Sequence, residues 1–304
     1  MSALNAHVED YLRLRRALGF KLERAGQLLP QLVAYLEAAG ATTVSADLAI
    51  AWARQTEAKS IHRAQRLTIA RGFARYLQTI DPLTEVPPPG VFPTSYQRPT
   101  PYLWSETDVC RVLEAAQALH PPLRAASHHA LFGLMSASGM RIGEVLGLTR
   151  EDVDLVGGVI TIREAKFDRS RLVPLHPTTA EELARYVAER DRLCPRPRSR
   201  AFFLSSVGTS LSRCGVAKTL REITTDLGLR TDSIRPRPHD FRHSFAVETL
   251  IRWMRAGMNI DEHIGALSTY LGHVSPADTY WYLSASPELM ALAAERLEKA
   301  GGGQ

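Results

Sequence analysis

Apolar residues recur along most of the chain at the three-to-four spacing of a helix. Leu4, Val8, Tyr11, Leu12 and Leu18 form a stripe over residues 4–18 that Gly19 ends. Leu28, Leu29, Leu32, Val33 and Leu36 predict a second helix over about 23–39, with Gly40 at the position of a C-terminal cap. Ser45 can cap a third helix carrying Ile50 and Trp52, and Ser60 opens a fourth that turns Ile61, Leu67, Phe73 and Leu77 inward. The texture then changes. Pro82, Pro87, Pro88, Pro89, Pro93, Pro99 and Pro101 exclude regular helix and remove donors for a sheet, which predicts an extended, fairly stiff linker over 81–102.

Helical spacing resumes near Leu103, where Ser105 is a cap and Asp108 falls in the first turn. Helices over about 106–119 and 122–138 lead to Gly139. The period then shortens to two in Val159–Ile162 and Arg171–Leu175, an antiparallel pair whose second strand is demoted to an edge by Pro174. Further helices are predicted over 178–192, 214–227, 239–255 (closed by Gly257), 261–271, 276–283 and 287–299. Ser286, Pro287 and Glu288 write the start of the last one. The fold class is mainly α: an N-terminal helical module (1–80), the linker, and a C-terminal, mostly helical domain with a small antiparallel β-sheet (103–304).

A chain of 304 residues with 45% hydrophobic content supports two such cores. No apolar run reaches the roughly 18–20 residues that span a bilayer, and the first residues lack the basic start and apolar segment of a signal peptide. Cys110, Cys194 and Cys214 are odd in number and far apart, which points to reduced thiols in a cytoplasmic protein. Net charge is +5. Its local distribution says more: Arg54, Lys59, Arg63, Arg66, Arg71 and Arg75 stand against the single acid Glu57, and Arg192, Arg196, Arg198 and Arg200 form a second cluster. Either cluster is a solvated surface or a footprint for a polyanion.

Candidate chemistry lies in four segments: Gly139-Met-Arg-Ile-Gly-Glu144, a basic turn containing Lys166, His239-Asp-Phe-Arg-His243, and Leu271-Gly-His-Val-Ser-Pro-Ala-Asp-Thr-Tyr-Trp-Tyr-Leu283. Planar guanidinium groups meet phosphate charge with forked hydrogen bonds, so Arg141 and Arg242 converging from separate segments would make a phosphate clamp. Glu144, three residues after Arg141, is placed to hold its guanidinium. His239 and His243 at i and i+4 also have metal-ligand spacing, but position 240 is Asp and no third ligand follows at a familiar distance. Lys166 competes with Arg169 and Arg171 for any role at its turn. Tyr270, Tyr280 and Tyr282 compete as nucleophile. In a helix, residues 280 and 282 point about 200° apart, so only one of them can face the clamp.

Together these residues resemble the tyrosine recombinases of the phage integrase type. The match is carried by Arg141 in its Gly-Met-Arg-Ile-Gly-Glu segment, Lys166 eight residues before the proline of Val-Pro-Leu, His239-x-x-Arg242, Leu-Gly-His273, and Thr279-x-x-Tyr282. The resemblance implies Tyr282 as nucleophile, Lys166 as general acid, His239 as acid/base or phosphate donor, and His273 as donor to a non-bridging oxygen. His243, on its own residues, is read as supporting helix packing, a role the resemblance does not supply. The resemblance also implies a site-specific recombinase or integrase that cuts and rejoins double-stranded DNA through a 3′-phosphotyrosine, with neither metal nor ATP. The protein would act in the cytoplasm, on the nucleoid, in homo- or hetero-tetramers with other recombinase subunits. Over residues 1–80 the likeness is one of architecture, a core-binding (SAM-like) module whose basic residues Arg54, Lys59, Arg63, Arg66, Arg71 and Arg75 would contact the duplex. A nicking-closing enzyme similar to type IB topoisomerases, or an accessory DNA-binding protein of the same fold, are the alternatives.

Overall fold

The computed structural model describes residues 2–56, 60–93, 100–163, 170–273, 275, 277–284 and 286–301. It divides into two compact units, separated in sequence between residues 99 and 100.

The first unit contains α1 (Ala3–Ala17), α2 (Glu23–Ala38), α3 (Ala46–Arg54) and α4 (Ser60–Leu77). The expected stripes form its core, with Leu29, Leu32, Leu36, Trp52, Phe73 and Leu77 all fully enclosed. Ser45 caps α3 by accepting from the Leu48 amide at 3.3 Å. The structure departs from the expected linker over 81–93, which docks on this unit. The Glu85 amide donates to the Val44 carbonyl at 2.8 Å, Arg71 donates to the Pro87 and Pro88 carbonyls at 2.9 and 2.8 Å, and Phe92 is buried in the core. Prolines lack a donor but keep their acceptor, and an arginine on α4 supplies the missing hydrogens.

The second unit begins with α5 (Glu106–Gln117) and α6 (Pro122–Ser138). Gly139, at φ 61°, turns the chain into the short α7 (Ile142–Gly147). A three-stranded antiparallel sheet follows, in the order β1 (Val153–Asp154), β2 (Val159–Arg163), β3 (Ser170–Pro174). Ile160 pairs with Val173 and Ile162 with Arg171, so β3 is the edge that Pro174 predicts. The remaining helices are α8 (Pro177–Leu193), α9 (Arg213–Asp226), α10 (Pro238–Arg255), α11 (Ile260–Leu271), α12 (Ala277–Tyr280) and α13 (Pro287–Gly301). The expected helix over 276–283 is only one turn of α-helix, continued by a 3-10 turn at Trp281–Ser284.

Helix α10 is the axis of this unit. Phe241 stacks on Trp104 (centroids 4.5 Å apart, 7° between planes) and on Phe132 at 6.0 Å. The Trp104 amide donates to the Ser244 hydroxyl at 2.7 Å, which fastens the first residues of the unit to the same helix. On its other face Ala246, Val247, Leu250 and Met254 pack with Ile260, Ile264, Leu267 and Leu271 of α11 and with Leu289 of α13. Phe241→Ala should therefore cost about 3–5 kcal/mol, the usual range for an emptied aromatic site. Urea unfolding of the two proteins measures this, and an unchanged midpoint would contradict the packing described.

Candidate functional site

The site is built on the C-terminus of α11. A helix leaves its last carbonyls without intrahelical partners and carries partial negative charge at that end. Here three successive carbonyls each receive a different arginine. Tyr270 O accepts from Arg171 Nε at 3.1 Å, Leu271 O from Arg242 Nη2 at 2.7 Å, and Gly272 O from Arg141 Nη2 at 2.8 Å. The arginines come from β3, from α10 and from the turn after α6. Gly272 ends the helix at φ 68°, and a Cβ there would lie 2.6 Å from Arg171 Nη1, so both backbone and guanidinium require glycine.

Glu144 holds the pair at the front. Its carboxylate accepts from Arg141 Nη1 and from the Arg141 amide, both at 2.8 Å, and from Arg171 Nη2 at 2.7 Å. Burial alone would push the carboxyl pKa up. The Arg171 hydrogen bond and charge, then those of Arg141, bring it below its ordinary value. Arg242 is 1% exposed, with its second fork on the Gly139 carbonyl at 3.0 Å. Burial and the nearby Arg141 push its pKa down to about 10, which leaves it charged at neutral pH.

Tyr282 is buried close enough to Arg242 to favour the charged guanidinium. Its ring stands 6.0 Å from His273 and 5.5 Å from His243, which in turn meets His239 edge-on at 4.7 Å. The His273 Nδ1 is 2.7 Å from the hydroxyl of the buried Thr279. Burial, then the charges of Arg242 and Arg141, bring the His273 pKa down to about 4. His239 is open to solvent on one side, and partial desolvation followed by Arg242 lowers it in the same sense. His273 is therefore neutral at pH 7.

Arg141, His239, Arg242, His273 and Tyr282 thus meet in one place. Lys166 and Lys59 lie outside the described residues. The three competing tyrosines separate clearly. Tyr282 is 3% exposed beside Arg242, Tyr280 is 41% exposed and donates to Asp261 at 2.8 Å, and Tyr270 stacks on Phe245. Asp240, which blurred the metal-ligand reading of His239 and His243, is buried and bound to Arg237 at the start of α10. Among the described residues no group of three or more His, Cys, Asp or Glu converges on a point. In the basic cluster of the first unit, Arg54 and Arg75 are exposed. Arg63 donates to the Thr56 carbonyl at 3.1 Å, Arg66 lies 4.0 Å over the Trp52 ring, and Arg71 holds the proline segment. Those three serve the fold as well as any partner. In the sequence Arg171 stands only as a rival of Lys166, and its anchoring by Glu144 and Tyr270 comes from the fold. Strand parity was the available signal, since it puts Arg171 on the same inward side as Val173 while Leu172 faces out.

The sequence profile of the Phage integrase family matches residues 105–288. The integrase/recombinase y4rB of Sinorhizobium fredii is 42% identical over 98% of this chain and 98% of its own. The tyrosine recombinase XerD of Lacticaseibacillus casei is 28% identical over 82% of this chain and 85% of its own. In fold, the chain resembles the Tn1549 transposon integrase in complex with a circular intermediate DNA, with a TM-score of 0.64 at 17% identity, over 96% of this chain and 99% of that one. The chain belongs to the phage integrase family. It is a tyrosine recombinase.

Because His273 and His239 bind protons less readily folded than unfolded, the unfolded state takes up protons first as pH falls. Stability should drop from about pH 6.5, where an unfolded histidine titrates, down to about pH 4. His273→Asn should flatten part of that fall while leaving the pH 7.5 value little changed in comparison. Urea midpoints of both proteins across this range test it, and parallel curves would refute the assignment.

Proposed function

We propose that the protein is a site-specific recombinase or integrase acting on double-stranded DNA through a covalent 3′-phosphotyrosine, with Tyr282 as nucleophile. The observation that carries this reading is the buried Tyr282 ring 6.0 Å from His273, next to Arg242 and Arg141 where they bind the successive carbonyls of Leu271 and Gly272. Arg141 and Arg242 bind the non-bridging oxygens of the scissile phosphate and offset the charge that grows on them in the transition state. In this reading the Thr279 hydroxyl serves as donor across its 2.7 Å contact with His273 Nδ1, so the opposite ring nitrogen carries the proton and donates to the phosphate. The Tyr282 oxygen forms a bond to phosphorus as the bond to the 5′ oxygen breaks. The phenol proton passes to His239, and the departing 5′ oxygen takes a proton from Lys166. One phosphate ester is exchanged for another, so the reaction needs neither a nucleotide nor a metal, and the reverse attack by a 5′ hydroxyl reseals a strand.

In the same reading residues 103–304 are the catalytic domain, and residues 1–80 are a core-binding domain that meets duplex phosphates through Arg54, Lys59, Arg63, Arg66, Arg71 and Arg75. The protein works in the cytoplasm on nucleoid DNA, as a homo- or hetero-tetramer that joins two duplexes. Helix α13 bears on that assembly. Leu289 is buried against α10, Glu288 pairs with Arg255 at 2.6 Å, and Met290 stays exposed. An apolar stripe with one side free suits contact with a neighbouring subunit.

One experiment tests both parts. A nicked suicide substrate carrying the protein's own site should yield an adduct that survives SDS with the wild type and with Tyr280→Phe, but none with Tyr282→Phe. Native gels of the same mixtures should show complexes of four protomers and two duplexes. An adduct that persists in Tyr282→Phe removes the nucleophile assignment, and complexes that never exceed two protomers remove the tetramer.

A further inference from the structure

Arg171 has the placement of a working part and no role in the chemistry above. It lies on the core-facing side of β3, its side chain 13% exposed, and its guanidinium contacts two elements at once. One contact is the Glu144 carboxylate at 2.7 Å, the other the Tyr270 carbonyl at 3.1 Å. Glu144 in turn grips both the amide and the guanidinium of Arg141, and the far side of that guanidinium donates to Gly272 O at 2.8 Å. Arg171, Glu144, Arg141 and the end of α11 therefore close a ring. Arg141 is the more open of the two phosphate-clamp arginines, with its side chain 36% exposed against an almost fully enclosed Arg242. A long side chain at that exposure has several rotamers to choose among. The ring selects one.

We propose that Arg171 is a positioning residue of the recombination site: by holding the Glu144 carboxylate against the end of α11, it fixes the Arg141 guanidinium in the orientation that meets the scissile phosphate. The proposal rests on the functional reading given above. It follows from the contacts that without Arg171 the Glu144 carboxylate keeps one arginine partner in place of two. Freed from β3, the carboxylate can swing and take Arg141 with it. The Arg171 guanidinium is engaged by a carboxylate and a carbonyl, and this placement separates it from the leaving-group role given to Lys166. Lysine at 171 could reach either Glu144 or Tyr270 O with its single nitrogen, but it lacks the fork to hold both.

The test is a double-mutant cycle on the rate of adduct formation, read with the suicide substrate under single-turnover conditions. Arg171→Ala should lower the rate roughly tenfold, the size of coupling expected between groups in one hydrogen-bonded network. Its binding to the duplex by gel shift should remain close to wild type. Combined with Arg141→Ala it should add almost nothing, since its effect passes through Arg141. Arg171→Lys should recover part of the loss, and it serves as the cycle partner if the alanine variant does not fold. Additive losses in the cycle, or an Arg171 variant that cleaves at the wild-type rate, would overturn the proposal. Failure of the wild type to form any adduct would instead overturn the functional reading, and this inference with it.

Discussion

The site depends on where α11 stops. A guanidinium taken out of water costs several kcal/mol unless its donors are met, and Arg242 is almost wholly enclosed. The carbonyls of residues 270–272, unpaired by the helix that ends there, meet that need for three arginines in succession. Apolar packing sets their position. Ile260, Ile264, Leu267 and Leu271 seat α11 against Ala246, Val247, Leu250 and Met254 of α10, and α10 itself carries His239 and Arg242. Hydrophobic spacing along two helices thus becomes the spacing of charges in the site. Gly272 serves twice, as the left-handed cap and as the gap that admits Arg171.

The electrostatic consequence follows directly. Arg141 and Arg171 share one carboxylate, Glu144, while Arg242 is met only by carbonyls, so positive charge predominates around the clamp. Desolvation, with that field added, lowers the proton affinity of His239 and His273 and leaves His273 neutral at pH 7. Neutral imidazoles can accept or donate a proton where cationic ones could only donate. A phosphodiester entering the site would supply the missing negative charge. The same field would favour the growing charge of its transition state over the ground state, which is the condition for catalysis rather than mere binding.

Much of this was legible in the sequence, for identifiable reasons. Long amphipathic helices announced themselves by period, and Pro174 marked the edge strand. The spacing of Arg141, His239, Arg242, His273 and Tyr282 was informative because it matched a family. Elements too short to show a period, α7 and β1, were not visible. Prolines that read as a free linker over 81–93 hid a docked segment, because their carbonyls can accept from a distant Arg71 that sequence spacing does not connect to them. The helix expected over 276–283 tightened to a 3-10 turn around Tyr282, with Thr279 held by His273. That contact depends on how the chain folds back after Gly272, which periodicity does not record. Arg171 was obscured for a similar reason: its partners lie 27 and 99 residues away in sequence.

Arg141, Arg242 and the oxygen of Tyr282 are proposed to address a single phosphorus. A crystal structure of the protein on a nicked duplex with orthovanadate, which adopts the trigonal-bipyramidal arrangement of phosphoryl transfer, measures this directly. Vanadium should be joined to the Tyr282 oxygen at one apex and to a DNA oxygen opposite. Arg141, Arg242 and His273 should each lie within hydrogen-bonding distance of the equatorial oxygens, with Arg171 still bridging Glu144 and Tyr270. Vanadate bound with Tyr282 turned away from it, or with Arg141 and Arg242 contacting different phosphates, would contradict this geometry.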